Sequence, residues 1–269
     1  MADEIKYVDY GDIEYIQFNR LLEYKNLFHA ITLKKHNVGF KIRENDKTRE
    51  SSIEKVKKLT SFERIIQLKQ NHTDNIITIN HYEAESIINE EDIDSYADGL
   101  ITNEKKIASI ITIADCIPII IYDPKNNVVA NIHSGWKGTV KRIGIKAINQ
   151  MERDFKTDKN DVIFCIGPSI RKECFIVNED VVKIYENEFK NDIDLKEIIE
   201  KTDQFNDKGI QYKIDNILLY KKLLANEKIP KENIIDSKIC TVCNSDKFHS
   251  RRAEGEMYQT NGSITMLSI

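Results

Sequence analysis

The stretch IASIITIADCIPIIIYDPKNNVVANIHSGWKGT, residues 107–139, decides the fold. It holds three apolar runs, Ile107 to Ile113, Ile117 to Ile121 and Val128 to Ile132, each with the length and β-branched content that fill a buried sheet. Asp123-Pro124-Lys125-Asn126-Asn127 between the last two is a turn sequence that reverses the chain. The polar break Asp115-Cys116 ends the first run, and His133 ends the third. Such a reversal can bring Cys116 and His133 within a few ångströms of each other. A thiol and an imidazole at neighbouring strand ends mark the place to look for metal or nucleophilic chemistry.

Outward from this stretch, further strands are expected near Ile13 to Phe18, Leu27 to Leu33, Ile65 to Lys69, Ile76 to Ile79 and Val162 to Ile166. Helices are expected near Glu50 to Leu59, Val140 to Phe155, Glu179 to Phe189 and Gln211 to Asn226. A final strand pair is expected at Ile234 to Ile239 and Ser263 to Leu267. The charged stretches Lys34 to Lys58 and Glu186 to Lys208 read as solvated helices and loops. Strands and helices mix without strict βαβ alternation, so the expected class is α+β in layers: a mixed central β-sheet flanked by helices. No Pro/Gly/Ser linker or internal repeat divides the chain, so residues 1–269 read as a single domain.

Composition narrows the function. A net charge of −4 gives no basic footprint for nucleic acid. No run approaches the roughly 18 apolar residues of a membrane span, and the acidic, polar start is wrong for a secretory signal. Five cysteines are too sparse for a disulfide scaffold, and a reducing cytoplasm is the expected compartment.

A third candidate ligand, His72, follows the strand expected at Ile65 to Lys69. Two imidazoles and a thiolate suit zinc, and three protein ligands leave a fourth position for water or substrate. The pattern leaves a second reading open, in which Cys116 is a buried cysteine and the histidines are satisfied in the core. Gly135 to Gly138 is either a tight strand-to-helix turn or an anion-holding helix start. Arg251 and Arg252 either lie on the surface or hold a phosphate or carboxylate. Cys240 and Cys243 form one Cys-x-x-Cys with no second pair, and His29, His36 and His81 read as structural or exposed.

Taken in order, Ala114-Asp115-Cys116-Ile117-Pro118, His133-Ser134-Gly135-Trp136-Lys137-Gly138-Thr139, Gly167-Pro168-Ser169-Ile170 and Cys174-Phe175-Ile176-Val177 resemble the signatures of a known family. Cys240-Thr241 and Phe248-His249-Ser250-Arg251-Arg252 resemble its C-terminal signature. This is the YfiH/YlmD (FAMIN-like) family of purine nucleoside phosphorylases, formerly labelled polyphenol oxidase or laccase domain. The resemblance implies a zinc ion on His72, Cys116 and His133. It implies phosphorolysis of adenosine, inosine, guanosine and methylthioadenosine to free base and ribose 1-phosphate, with deamination of adenosine. Cys116, His133 and Asp115 are then the catalytic candidates, Asp115 for proton transfer. Lys137, Arg251 and Arg252 are the phosphate and substrate candidates.

The chain departs from the family pattern around Ile31 to Asn37, around Lys57-Lys58, at Lys137, where the family has arginine, and around Gln259 to Gly262. These departures bear on substrate range and leave the three ligands untouched. Two alternatives stand beside this reading: a metal-free Cys116/His133 hydrolase, and a zinc-binding relative that has lost nucleoside turnover. A second histidine near the cysteine separates zinc from the hydrolase.

Overall fold

Two six-stranded mixed sheets lie face to face in the computed structural model, which describes residues 4–43, 47–80, 96–207 and 209–268. In chain order the elements begin with β1 (Ile5–Asp9), β2 (Glu14–Phe18), β3 (Leu27–Thr32), α1 (Thr48–Leu59), β4 (Arg64–Gln67), β5 (Ile76–Ile79) and β6 (Gly99–Thr102). Next come β7 (Ile107–Ile113), β8 (Ile117–Asp123), β9 (Val128–Ser134), α2 (Trp136–Val140), α3 (Ile143–Phe155) and β10 (Ile163–Ile166). The chain continues through β11 (Ile176–Asn178), α4 (Glu179–Phe189), β12 (Ile199–Asn206), β13 (Gly209–Ile214) and α5 (Asn216–Asn226). It ends with β14 (Ile234–Asp236), α6 (Arg251–Glu254) and β15 (Asn261–Leu267). The first sheet runs β1-β2-β3-β15-β7-β4 and the second β14-β10-β8-β9-β6-β5; a small third sheet runs β11-β13-β12.

The α+β class with mixed pairing is the one expected, in a single domain, but the central sheet is doubled. Strand β8 shows why. Ile117, Ile119 and Ile121 face a core shared with α3, α4 and α5. Ile120 and Tyr122, pointing the other way, pack with Ile16, Ile31, Ile107 and Ile111 of the first sheet. A strand buried on both faces reads as one apolar run whether its second cover is a helix or another sheet. Helix α1 covers the outer face of the first sheet, with Val56 packed near Phe40, Ile110 and Ile264. Between the sheets Asn131 Nδ2 donates to the carbonyls of Ser109 (3.2 Å) and Ser263 (2.8 Å), and Ser263 Oγ donates to Asn131 Oδ1. That network satisfies the one amide that β9 sends inward.

The β8–β9 hairpin forms where the turn sequence placed it. Asp123 Oδ1 accepts from the N–H groups of Lys125 and Asn126, Asn127 takes φ 53°, and Pro118 pairs opposite His133. Four other expectations are corrected. The helix expected over Val140 to Phe155 is two helices, broken at Arg142, whose φ is 59°. The helix expected from Gln211 is strand β13 as far as Ile214; Asp215 then caps α5, accepting from the N–H groups of Ile217 and Leu218. The charged stretch after Glu186 contains β12, an exposed edge strand that among the described residues pairs only with β13. The two C-terminal strands pair not with each other but with β10 (β14) and with β3 and β7 (β15). Among the described residues no helix is long and apolar enough to cross a membrane.

Candidate metal centre

His72, Cys116 and His133 meet at one end of the second sheet. One ring nitrogen from each histidine and Cys116 Sγ all lie within 4.8 Å of one another. Cys116 Sγ is 3.8 Å from His72 Nε2, and the two imidazoles meet edge to face with centroids 4.9 Å apart. Each ligand arrives from a different place. His133 is held in β9, Cys116 lies just ahead of β8, and His72, at φ 55°, lies in the connection from β4 to β5. His133 is buried, Cys116 half-buried and His72 exposed, so the cluster opens towards solvent on the His72 side.

Asp98, which sequence reasoning missed, organises the cluster. It immediately precedes β6 and is fully buried. Its carbonyl accepts from His133 N–H at 2.7 Å, and its Oδ1 lies 2.7 Å from His133 Nδ1. The same Oδ1 accepts from His72 N–H at 3.0 Å. Oδ2 accepts from both the N–H and the hydroxyl of Thr73, each at 2.6 Å, and from Asn71 N–H at 3.3 Å. One carboxylate thus orients one histidine and clamps the loop that carries the other. With Nδ1–H committed to Asp98, His133 presents Nε2 to a ligand, the usual arrangement of a carboxylate behind a metal-binding histidine. The only trace in the sequence was an acid before Gly99-Leu100-Ile101, too short a run to stand out.

The electrostatics follow from this packing. Burial pushes the Asp98 carboxyl up, but the hydrogen bonds from His133 and Thr73 outweigh it and hold it at about 2. Burial opposes charge on His133, yet the neighbouring Cys116 thiolate and Asp98 raise it to about 9. Burial also raises the Cys116 thiol, whereas the His133 charge and hydrogen bonds with both histidines bring it down to about 6. Each partner thus favours the charged form of the other, a thiolate beside an imidazolium, with the Asp98 carboxylate behind.

Gly135 is required beside this cluster. A Cβ there would lie 2.6 Å from His72 Cδ2 and 3.3 Å from Cys116 Sγ. Asp115 turns the chain into Cys116 at φ 86°. Its Oδ1 accepts from Thr241 Oγ1 at 2.6 Å, its Oδ2 from Arg252 N–H at 2.7 Å, and its carbonyl from Ile170 N–H. The C-terminal signature is therefore a brace for the Asp115-Cys116 turn.

Two cavities meet at the cluster. One, of about 400 Å³, runs from His72 and Cys116 past Ile117, Trp136, Phe175 and Asn216. The other, of about 350 Å³, is bordered by Lys41, Lys69, Gln70 and Tyr258. His72, Cys116 and Arg251 line both, and Asp115 and Arg252 line the first. Arg252 spends its guanidinium on the carbonyls of Cys174 (2.8 Å) and Ile176 (3.5 Å). Lys137 is exposed in the first turn of α2, its ammonium 5.7 Å from the Trp136 ring centroid, and lines neither cavity. His29 lies in the core, accepting from Phe18 N–H, and burial drives its pKa down to about 3. His36 sits at the surface near Glu14, and His81 falls outside the described residues.

Fold and site together define a doubled-sheet α+β protein with a two-histidine, one-cysteine group able to hold a metal, set where two cavities join. The chain belongs to the family described as multi-copper polyphenol oxidoreductase laccase, whose model it matches over residues 28–267. A purine nucleoside phosphorylase of Bacteroides thetaiotaomicron is 30% identical over 193 residues, 72% of this chain and 69% of that protein. Adenosine deaminase RL5, from an unknown prokaryotic organism, is 28% identical over 192 residues, 71% of this chain and 70% of its own. The crystal structure of the Bacillus licheniformis hypothetical protein YfiH superposes with a TM-score of 0.83 at 20% identity. The match covers 97% of this chain and 99% of that one and shows the shared fold.

Proposed function

We propose that this chain is a zinc-dependent purine nucleoside enzyme of the cytoplasm. It cleaves adenosine, inosine, guanosine and methylthioadenosine with phosphate to free base and ribose 1-phosphate, and it also deaminates adenosine. The observation that carries the reading is the His72–Cys116–His133 group backed by Asp98 at the junction of two cavities. The names of the two relatives support the reaction classes.

The donor set fits zinc. Bonds of about 2.0–2.1 Å to nitrogen and about 2.3 Å to sulfur imply tetrahedral edges of roughly 3.3–3.6 Å; Cys116 Sγ and His72 Nε2 stand 3.8 Å apart, and all three donors lie within 4.8 Å of one another. An ion there supplies Lewis acidity next to both cavities. The chain's own residues do the rest. Ile117, Trp136 and Phe175 offer an apolar wall to a purine, and Asn216, whose Oδ1 accepts from Tyr185, has an amide N–H pair to offer. Lys41, Lys69 and Arg251 give the second cavity a cationic border suited to phosphate. In phosphorolysis a phosphate oxygen bonds to the anomeric carbon as its bond to the purine nitrogen breaks. In deamination water adds at C6 and ammonia leaves. Asp115, with both oxygens engaged, holds Cys116 and α6 in place; Lys137 stands outside the phosphate border.

One observation favours a second reading. A thiol, an imidazole and a buried carboxylate in series, Cys116–His133–Asp98, is the arrangement of a metal-free cysteine hydrolase. Turnover of adenosine and inosine, with and without phosphate, by metal-quantified wild type and Cys116→Ala separates the two. Phosphate-dependent base release, abolished by chelation and restored by zinc, is the expected result. Full zinc occupancy with no turnover of either nucleoside would overturn the purine assignment, and activity that survives complete metal removal would favour the hydrolase.

A further inference from the structure

A second group of soft donors lies behind the first cavity. The turn of residues 171–174 carries Cys174, and the turn that follows Ile239 carries Cys240 and Cys243. The three sulfurs all lie within 4.8 Å of one another, with Cys174 and Cys243 Sγ 3.5 Å apart. Backbone hydrogen bonds lace the two turns together: Ser169 N–H donates to Ile239 O, and Thr241 N–H to Ser169 O. The three thiols are therefore held by structure already formed around them.

We propose that Cys174, Cys240 and Cys243 form a second metal site, which takes zinc(II) through three thiolates. Three sulfurs bonded to one tetrahedral zinc at about 2.3 Å stand about 3.8 Å apart. The observed separations bracket that edge, whereas a disulfide would need about 2.05 Å. Sulfur-only donors select a soft d10 ion over magnesium or calcium. Cys240 is almost buried and Cys243 exposed, so an ion would reach the three sulfurs from the Cys243 side, and three protein ligands would leave a fourth position for water. Zinc with three thiolates carries one net negative charge. Arg252, bonded to the Cys174 carbonyl, brings a positive charge beside it.

The site is tied to the first cavity. Thr241, between the two turn cysteines, donates to Asp115; Phe175, next to Cys174, lines the cavity; Arg252 bridges from Cys174 to the same wall. An ion on the three thiols fixes both turns and so steadies the brace behind Cys116. This holds whether or not the enzyme acts on nucleosides.

The test uses cobalt(II) as the probe on the reduced, metal-free full chain, reading the sulfur-to-cobalt charge-transfer band in the near ultraviolet. Wild type is expected to take two equivalents. Cys116→Ser should keep one, with a band about three times as intense as that of a single thiolate. Cys174→Ser/Cys243→Ser should also keep one, with a single-thiolate band. Zinc should bleach each band in turn. Cys243→Ser alone changes an exposed side chain and guards against loss of fold, which circular dichroism checks. A folded Cys116→Ser protein that binds no cobalt, or wild type that saturates at one equivalent with a single-thiolate band, overturns the proposal.

Discussion

Replacing Asp98 with asparagine should loosen the metal centre more than any other change that leaves all three ligands in place. The carboxylate receives His133 Nδ1–H, three backbone N–H groups and the Thr73 hydroxyl in a fully buried position. An amide has one oxygen to accept with, and its NH2 group turns towards donors. At least one N–H of the 71–73 loop is then left unpaired, at about 1–3 kcal/mol for a buried donor. A carboxyl moved from 3.8 to about 2 contributes roughly 2 kcal/mol. The sign follows from the depressed value: this stability is fully present above pH 3.8 and is lost as the pH falls through about 2. The two figures describe overlapping interactions, so the variant should lose about 2–4 kcal/mol, roughly 5–15 °C in thermal midpoint for a chain of this size. Metal affinity should fall about 10–100-fold, as it does when the carboxylate behind a ligating histidine is removed. Competition against a chromophoric chelator measures the affinity, and thermal denaturation of the metal-free protein measures the rest. Affinity within threefold of wild type would refute the role given to Asp98, whatever happened to stability.

Gly135→Ala should cut metal affinity by at least about tenfold while moving the thermal midpoint little, because the new methyl meets His72, an exposed ligand, at 2.6 Å; chelator competition and a melting curve check both halves. Metal affinity should rise with pH from about 6 to about 9 with a slope near one proton, the proton displaced from His133, and should steepen below about 6, where the Cys116 proton is displaced too. A flat profile by titration calorimetry across that range would contradict the thiolate–imidazolium pairing. Thr241→Val removes the donor to Asp115 Oδ1 at a buried site, so it should cost about 1–3 kcal/mol of stability and lower turnover with zinc stoichiometry unchanged. If the proposed function holds, removing metal with a chelator should abolish base release and leave the circular dichroism spectrum intact.

How much of this was written in the chain depends on what each residue is seen against. Cys116 and His133 interrupt isoleucine runs, so their placement at strand ends could be read by contrast, and the Asp123–Asn127 turn told which strands were neighbours. His72 followed a recognisable run in the same way. Asp98 had no such background, because the four-residue β6 behind it is too short to declare a strand. Its importance lies in donors that arrive from residues 71–73 and from His133, an alignment that exists only once β6 has paired with β9. The doubled sheet was hidden for the opposite reason: β8 is apolar at every position from Ile117 to Ile121, and periodicity cannot tell a helical cover from a β cover. Cys174 combines both difficulties. It lies in a turn, far in sequence from the Cys-x-x-Cys it completes, and the bridge from Ser169 to Cys240 is what makes three scattered thiols into one donor set. Ligands at the ends of long buried strands announce themselves; ligands and braces carried on turns are defined by the pairing between turns, and that pairing is a property of the folded chain.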